Sequence, residues 1–401
     1  MSMPHDLGER YSPLHFLAAL GAGGITVTFF MYLMFWVPHP GRPVPIFEDI
    51  TAAFAAGTLA TQAMIALALA GIAAFSALNI RLTLWNLREL AGFRRTEAYT
   101  ALRTSNAETQ LLAGPLALAM TVNALFILGL VFVPGLWNIV EYLFPLALLA
   151  FAALGVWALA LLGDFFGRVF TKGGFDCSKN NSFAQMLPAF ALAMIGVGMA
   201  APAAMSTVPL TAGISYIAST FFIVAALILG TVKLILGFRA MMEHGADVAG
   251  APTFWVAIPI ITVTSIALLR QEHGLHQHFN AHGAANSLPM LTQLLAVQLV
   301  FGLLGAVVLR RLGYFGRFVT GPETSPGSWA LVCPAVALSV MTQFWVNKGL
   351  VASGLIAKFG IAYWSLTALA IGFQIAAIWL VWKLSAKHFG LQTPREAIPA
   401  E

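Results

Sequence analysis

Ten apolar runs, each long enough to cross a bilayer as a helix of about 20 residues, follow one another along this chain with short connections. They cover residues 13–36, 50–78, 109–133, 136–163, 183–206, 210–237, 252–269, 286–309, 329–350 and 360–383. Inside hydrocarbon no water satisfies the backbone, so a spanning segment must close its own hydrogen bonds as a helix. Composition agrees. The chain is 59% hydrophobic and 9% charged, where a soluble domain carries about 25% charged residues. The expected fold class is an all-α integral membrane protein, one transmembrane domain over residues 1–401. Its termini, 1–12 and 388–401, are short. The first run is long enough to span and lacks a basic leader, so it is expected to be retained as a helix.

Charge is distributed by side. With an even number of helices, both termini share one face with the connections after helices 2, 4, 6 and 8. That face collects seventeen of the twenty-one Lys and Arg residues, and the other holds Arg42, Arg270, Lys348 and Lys358. The positive-inside rule puts both termini in the cytoplasm, and the expected location is the cell inner (plasma) membrane. The basic balance therefore reports topology and contact with anionic membrane lipids, with no nucleic-acid partner. Two cysteines, Cys177 and Cys333, support neither a disulfide framework nor a metal cluster.

A short window recurs on the odd helices: LGAGGIT from Leu20, GPLALAM from Gly114, LPAFALA from Leu187, IPIITVT from Ile258 and CPAVALS from Cys333. The starts are separated by 94, 73, 71 and 75 residues. An even helix also carries one such window, FPLALLA from Phe144. A regular period of this length points to repeated supersecondary units, here a kinked odd helix followed by a straighter even one. Proline inside a helix removes a hydrogen bond, at about 3 kcal/mol, and is tolerated in a membrane where the freed groups face protein or a water-filled cavity. Five kinked odd helices around an axial path, with the even helices outside facing lipid, satisfy that condition.

With these windows, the stretches APTFWVAIP (Ala251 to Pro259) and SWALVCPAVALSVMTQFW (Ser328 to Trp345) resemble the tellurite-resistance/dicarboxylate transporter family. That family includes bacterial tellurite-resistance proteins, yeast malate carriers and sulfite exporters, and the slow-type anion channels of plants. The resemblance extends over about residues 13–388. It implies ten helices as five hairpins in quasi-five-fold arrangement, an anion pore in each protomer, and a homotrimer. In the family a phenylalanine before the proline of helix 9 plugs the pore. Cys333 stands at that position here, so closure has to come from other residues.

The expected constriction is a ring of Leu20, Gly114, Leu187, Ile258 and Cys333, with Phe344 about three turns beyond Cys333 on the same face. An apolar ring gates by dewetting. Cys333 reads equally as a small core residue. Thr26, Asn123, Thr262, Thr264, Ser339 and Thr342 are polar candidates for the lining, since hydroxyls and amides donate to anions. Each reads alternatively as bonding its own helix or gluing helices together. Arg270 and Lys348 end helices 7 and 9 and form a candidate outer vestibule that draws anions, or anchor the helices by snorkelling. The segment RQEHGLHQHFNAH holds His273, His276, His278 and His282; it reads as a solvated loop or as a pH or metal sensor. The Arg-rich stretch from Arg81 to Arg103 is expected to lie on the membrane surface.

The leading expectation is an anion channel or transporter for small anions, with no catalytic residues, metal or cofactor. The alternative is a proton-coupled exporter or carrier of dicarboxylate, sulfite or tellurite type. A membrane-bound redox enzyme would want paired histidines within helices.

Overall fold

The computed structural model describes residues 3–279 and 287–390; His282 lies outside them. The described residues form helices and connections without strands. Ten helices are long and apolar enough to cross a membrane, as expected of a multi-pass membrane protein. They are α1 (Pro13–Trp36), α2 (Leu59–Phe93), α3 (Asn106–Phe132), α4 (Leu136–Lys172), α5 (Ala184–Met205), α6 (Pro209–His244), α7 (Ala251–His278), α8 (Leu288–Arg311), α9 (Pro326–Val351) and α10 (Ile361–Phe389).

Several boundaries differ from the expected ones, and hydropathy explains why. An apolar run marks only the part of a helix in hydrocarbon, while the helix continues into the polar interface. Thus α7 runs on to His278, so His273, His276 and His278 are helical and not in a loop. Likewise α2 continues to Phe93 through most of the Arg-rich stretch. Leu82, Trp85 and Leu90 are buried against the bundle, and the Trp85 indole donates to the Pro4 carbonyl at 2.7 Å. That stretch therefore packs as a helix extension rather than lying flat on a surface. At its start, α2 is shorter than expected. Residues Phe47–Ala56 form a separate short helix, and Thr58 caps α2 by accepting from the Thr61 amide.

The odd helices share one local design. Each begins with a 3-10 turn that passes into α-helix: Pro13–His15, Asn106–Leu112, Ala184–Met186, Ala251–Trp255 and Pro326–Leu331. All four prolines of the odd-helix windows fall within the first three residues of the α part, Pro115, Pro188, Pro259 and Pro334, while the α1 window has Gly21 in that place. The expected mid-helix kinks are therefore changes of helix type near the helix start. Where i+3 bonding gives way to i+4 bonding, one amide loses its partner, and proline has no amide to lose. The large penalty of an interior proline does not arise there. Among even helices only α4 begins the same way, at Leu136–Ile139, and it alone carries Pro145 inside.

Burial separates the two sets. The apolar windows of α1 and α5 are 94% buried, whereas that of α8 is 17% buried. Each odd helix contacts the next even one, and α1–α3, α3–α5, α5–α7, α7–α9 and α9–α1 contacts close a cycle. Glycines set the spacing on α1. A Cβ on Gly21 would lie 2.7 Å from a Val332 methyl, and one on Gly24 2.8 Å from a Val336 methyl, so α1 and α9 approach at backbone distance.

The two ends of the bundle are distinguishable. At one, Glu89 of α2 accepts from the Asp6 and Leu7 amides, and His15 packs against His388 and Phe389 of α10. This is the terminal end. At the opposite, far end, α7 finishes where the His278 Nε2 meets the Ser206 carbonyl at 2.9 Å.

Candidate functional site: a cavity walled by the odd helices

A cavity of about 480 Å³ lies among α1, α3, α5, α7 and α9. Among the described residues, every wall residue comes from one of these helices, apart from Pro43, Val44 and Ser287 in connections. No even helix reaches it. The wall follows helical stripes at steps of three and four. On α1 the stripe is Gly21, Gly24, Val27, Met31 and Met34; on α3 it is Met120, Asn123, Ile127 and Leu130. On α5 it is Phe190, Met194 and Val197; on α9 it is Cys333, Val336 or Ala337, Val340, Phe344 and Lys348. On α7 it begins at Pro259 and passes through Thr262, Ile266, Arg270, His273 and His276.

The structure brings together only part of the expected ring. Leu20, Cys333 and Phe344 are on the wall. Leu187 and Ile258 are buried but do not face the cavity. Gly114 turns outward: a Cβ there would lie 2.8 Å from the Trp157 ring of α4. The equivalent window positions therefore do not share one orientation, although Gly114 and Cys333 each stand second in the α part of their helix. Phe190, two residues after Pro188, is the aromatic residue that α5 presents instead.

The polar candidates divide the same way. Asn123 and Thr262 are on the wall. Thr26 is buried and faces α2, with its hydroxyl 3.2 Å from that of Ser76. Thr264, Ser339 and Thr342 are buried away from the cavity. Even Thr262 is committed to protein partners. Its hydroxyl lies 3.3 Å from the Ile258 carbonyl and 3.2 Å from that of Ala337, and it accepts from Gln298 of α8 at 2.6 Å. The Asn123 amide donates to the Ala119 carbonyl at 3.1 Å. Most of these groups thus hold helices and back-bond, as such side chains do in membrane bundles. The wall is otherwise largely apolar and rich in methionine, with Met31, Met120 and Met194 along it and Met34 and Met205 toward the far end.

Charge gathers toward the far end. Arg270, Glu272, His273 and His276 of α7 and Lys348 of α9 all contribute to the wall. Lys348 lies in a π-helical turn, Trp345–Val351, that ends α9. The Arg270 guanidinium donates to the Val197 carbonyl of α5 at 2.8 Å, which fixes it across the α5–α7 contact. Among the described residues neither Arg270 nor Lys348 belongs to an ion pair, while Arg42, the other far-end arginine, is paired with Asp49. Two unpaired cations beside one carboxylate leave this end of the cavity net positive.

Among the described residues no group of three or more metal-ligating side chains is assembled. No family model and no curated protein matches this chain significantly.

The signal for the missed wall residues was periodic. Counting in threes and fours from Pro188 of α5 and Pro259 of α7 reaches Met194, Thr262, Ile266, Arg270, His273 and His276, and Phe190 stands one step of four before Met194. Counting between equivalent window positions does not.

Proposed function

We propose that this protein is an anion channel or transporter that moves small inorganic or organic anions through a pore in each protomer. In this reading the five helix pairs form a quasi-five-fold bundle, odd helices inside and even helices outside. The protein sits in the inner (plasma) membrane with both termini cytoplasmic, surrounded by lipid and assembled as a homotrimer. The resemblance to the tellurite-resistance/dicarboxylate transporter family points the same way.

One observation carries the proposal: a cavity walled by odd helices apart from three connection residues, with Arg270 and Lys348 in no ion pair among the described residues at one end. Burying an uncompensated charge is expensive, so a cation held at a cavity without a carboxylate partner is suited to meet a mobile anion. The apolar, methionine-lined middle offers no carboxylate to a cation. It also suits gating by dewetting, with Leu20, Phe190, Cys333 and Phe344 as the narrowing side chains.

The test is electrical. With the full chain in a planar bilayer, the reversal potential in asymmetric salt should follow the anion gradient. A potential that tracks potassium or sodium would refute the proposal. Absence of a Soret band from the purified protein is expected as well, and its presence would favour a redox enzyme.

A further inference from the structure

The stripe that α9 presents to the cavity ends in an irregular turn. From Cys333 it passes through Val336 or Ala337, Val340 and Phe344 to Lys348. An α-helix advances about 100° per residue, so a continuous one would place Lys348 about 60° round from Cys333. The structure departs from α-helix before that point is reached. Trp345–Val351 is π-helical, with the wider i+5 bonding that advances less per residue and brings Lys348 back toward the stripe. A π turn inside an α-helix is rare and is found most often at functional sites. This one places the second cation of the wall.

The turn is held from behind, by residues that are not on the cavity wall. Tyr363, fully buried at the start of α10, donates its hydroxyl to the Asn347 side-chain oxygen at 3.0 Å. The same hydroxyl accepts from the Trp36 indole of α1 at 2.8 Å. Trp36 in turn stacks on Tyr32, with ring centroids 4.6 Å apart. The Asn347 side-chain amide donates back to the Gln343 carbonyl at 2.9 Å. On the opposite flank the Trp345 indole donates to the Thr292 hydroxyl of α8 at 2.9 Å. Three neighbouring helices therefore grip the turn, and Tyr363 joins two of them to it through one hydroxyl.

We infer that Tyr363 is a positioning residue for the anion site: by holding Asn347 it fixes the π turn, and through the turn the place of Lys348 on the wall. This deepens the anion reading above and rests on it. Without the hydroxyl, both Asn347 and the Trp36 indole lose a partner, and leaving buried polar groups unmatched is costly. The turn then relaxes toward ordinary α-helix, which needs no such support. Lys348 rotates out of line with Phe344, and Arg270 is left to meet the entering anion without it. The tyrosine acts on the anion only through the lysine, and that separates it from a residue that merely supports the fold.

The experiment uses the full chain in proteoliposomes, with chloride as the probe and flux measured against its concentration. Tyr363→Phe should raise the half-saturating concentration about threefold, the worth of one hydrogen bond, and keep the maximal flux within about twofold of the parent's. Asn347→Leu, which removes the acceptor and the donor together, should raise it at least as much. The deciding comparison is a double-variant cycle. In a Lys348→Gln background, Tyr363→Phe should add nothing, because the group it positions is gone. A Tyr363→Phe half-saturation equal to the parent's overturns the inference. So does a loss as large in the Lys348→Gln background as in the parent, which would make Tyr363 a general support of the bundle. If Tyr363→Phe does not insert, Trp36→Phe, which frees the same hydroxyl, takes its place and is held to the same two outcomes. Saturable parent flux without coupling between Tyr363 and Lys348 overturns this inference alone, whereas no chloride flux from the parent overturns the anion reading with it.

Discussion

Replacing Arg270 with Gln removes a unit charge from the cavity wall and leaves a side chain that still donates. The size of the effect follows from the cavity. The wall runs from Leu20 to Met34 and from Cys333 to Lys348 with Arg270 at the far end, so the effect is worked for an anion taken up there, roughly 5 Å from the guanidinium. Two unit charges 5 Å apart interact by about 3 kcal/mol at an effective dielectric of 20, and by about 1 kcal/mol in bulk water. A partly hydrated cavity falls between these limits. Each 1.4 kcal/mol is about a factor of ten, so Arg270→Gln should lower the apparent affinity for the transported anion roughly ten- to a hundredfold. Lys348→Gln should act less, since a flexible ammonium stays more hydrated than a guanidinium pinned to the Val197 carbonyl. The assay is flux in proteoliposomes against anion concentration, at low and at high ionic strength. Salt screens exposed charges over about 10 Å at 0.1 M and partly buried ones much less. The Arg270→Gln loss should therefore persist at high salt, while that of Lys348→Gln should shrink. If the variants insert normally and their concentration dependence matches the parent at both ionic strengths, the two cations only anchor helices and the electrostatic argument fails.

Other outcomes follow from the packing. Cys333→Phe should reduce flux by filling the wall beside Leu20, and Cys333→Ala should retain it. In a Cys177→Ser background, which removes the exposed thiol, a small water-soluble thiol reagent should label Cys333 in membranes; a Cys333 that never reacts would mean a dry, closed site. Gly24→Leu should destabilise the fold by about 1–3 kcal/mol through overpacking against Val336, read as a lower unfolding temperature in detergent, and Val336→Ala should restore part of the loss. Glu108→Gln should also lower that temperature. This buried carboxylate meets Arg103 at 3.1 Å and Arg168 at 2.8 Å, and a hydrogen bond to a charged group contributes about 1.5–3 kcal/mol, less here because both arginines are partly solvated.

The architecture was largely legible because one physical constraint dominates it. A backbone in hydrocarbon has to be helical, and ten apolar runs give ten helices. The ends were less legible, since hydropathy is silent once a helix leaves hydrocarbon. Leu82 and Trp85 are apolar residues among arginines, and only tertiary packing shows that they extend α2 into the bundle. The same blindness hid the environment of His273 and His276, which look like loop residues until α7 is seen to continue past Arg270. Similarly, His388 stands beyond the last apolar run. In the structure its ring lies 6.0 Å from that of His15, between Trp329 of α9 and the start of α1.

The repeat was visible while its orientation was not, and the reason is local geometry. A residue in a 3-10 turn advances the helix by about 120° and one in an α-helix by about 100°. The 3-10 stretch has three residues in α5 and six in α9, and in α3 and α9 it ends at the same distance from the proline, at Leu112 before Pro115 and at Leu331 before Pro334, so there the difference lies in how each helix is turned about its own axis in the bundle. Matching prolines therefore do not guarantee matching directions for the residue that precedes them. Cys333 faces the cavity, whereas Gly114, in the same window position, faces Trp157. What the prolines do mark, in α3, α5, α7 and α9, is the place where the helix changes its hydrogen bonding from 3-10 to α, where a residue without an amide fits. Small residues then bring the odd helices close at that level, as Gly21 and Gly24 do against Val332 and Val336. Beyond it, longer side chains such as Met31, Met34 and Phe344 line the wider part. A straight array of leucine-rich helices would close over this axis. The alternation of glycine, proline and methionine keeps a cavity open where Arg270 and Lys348 can act on what enters.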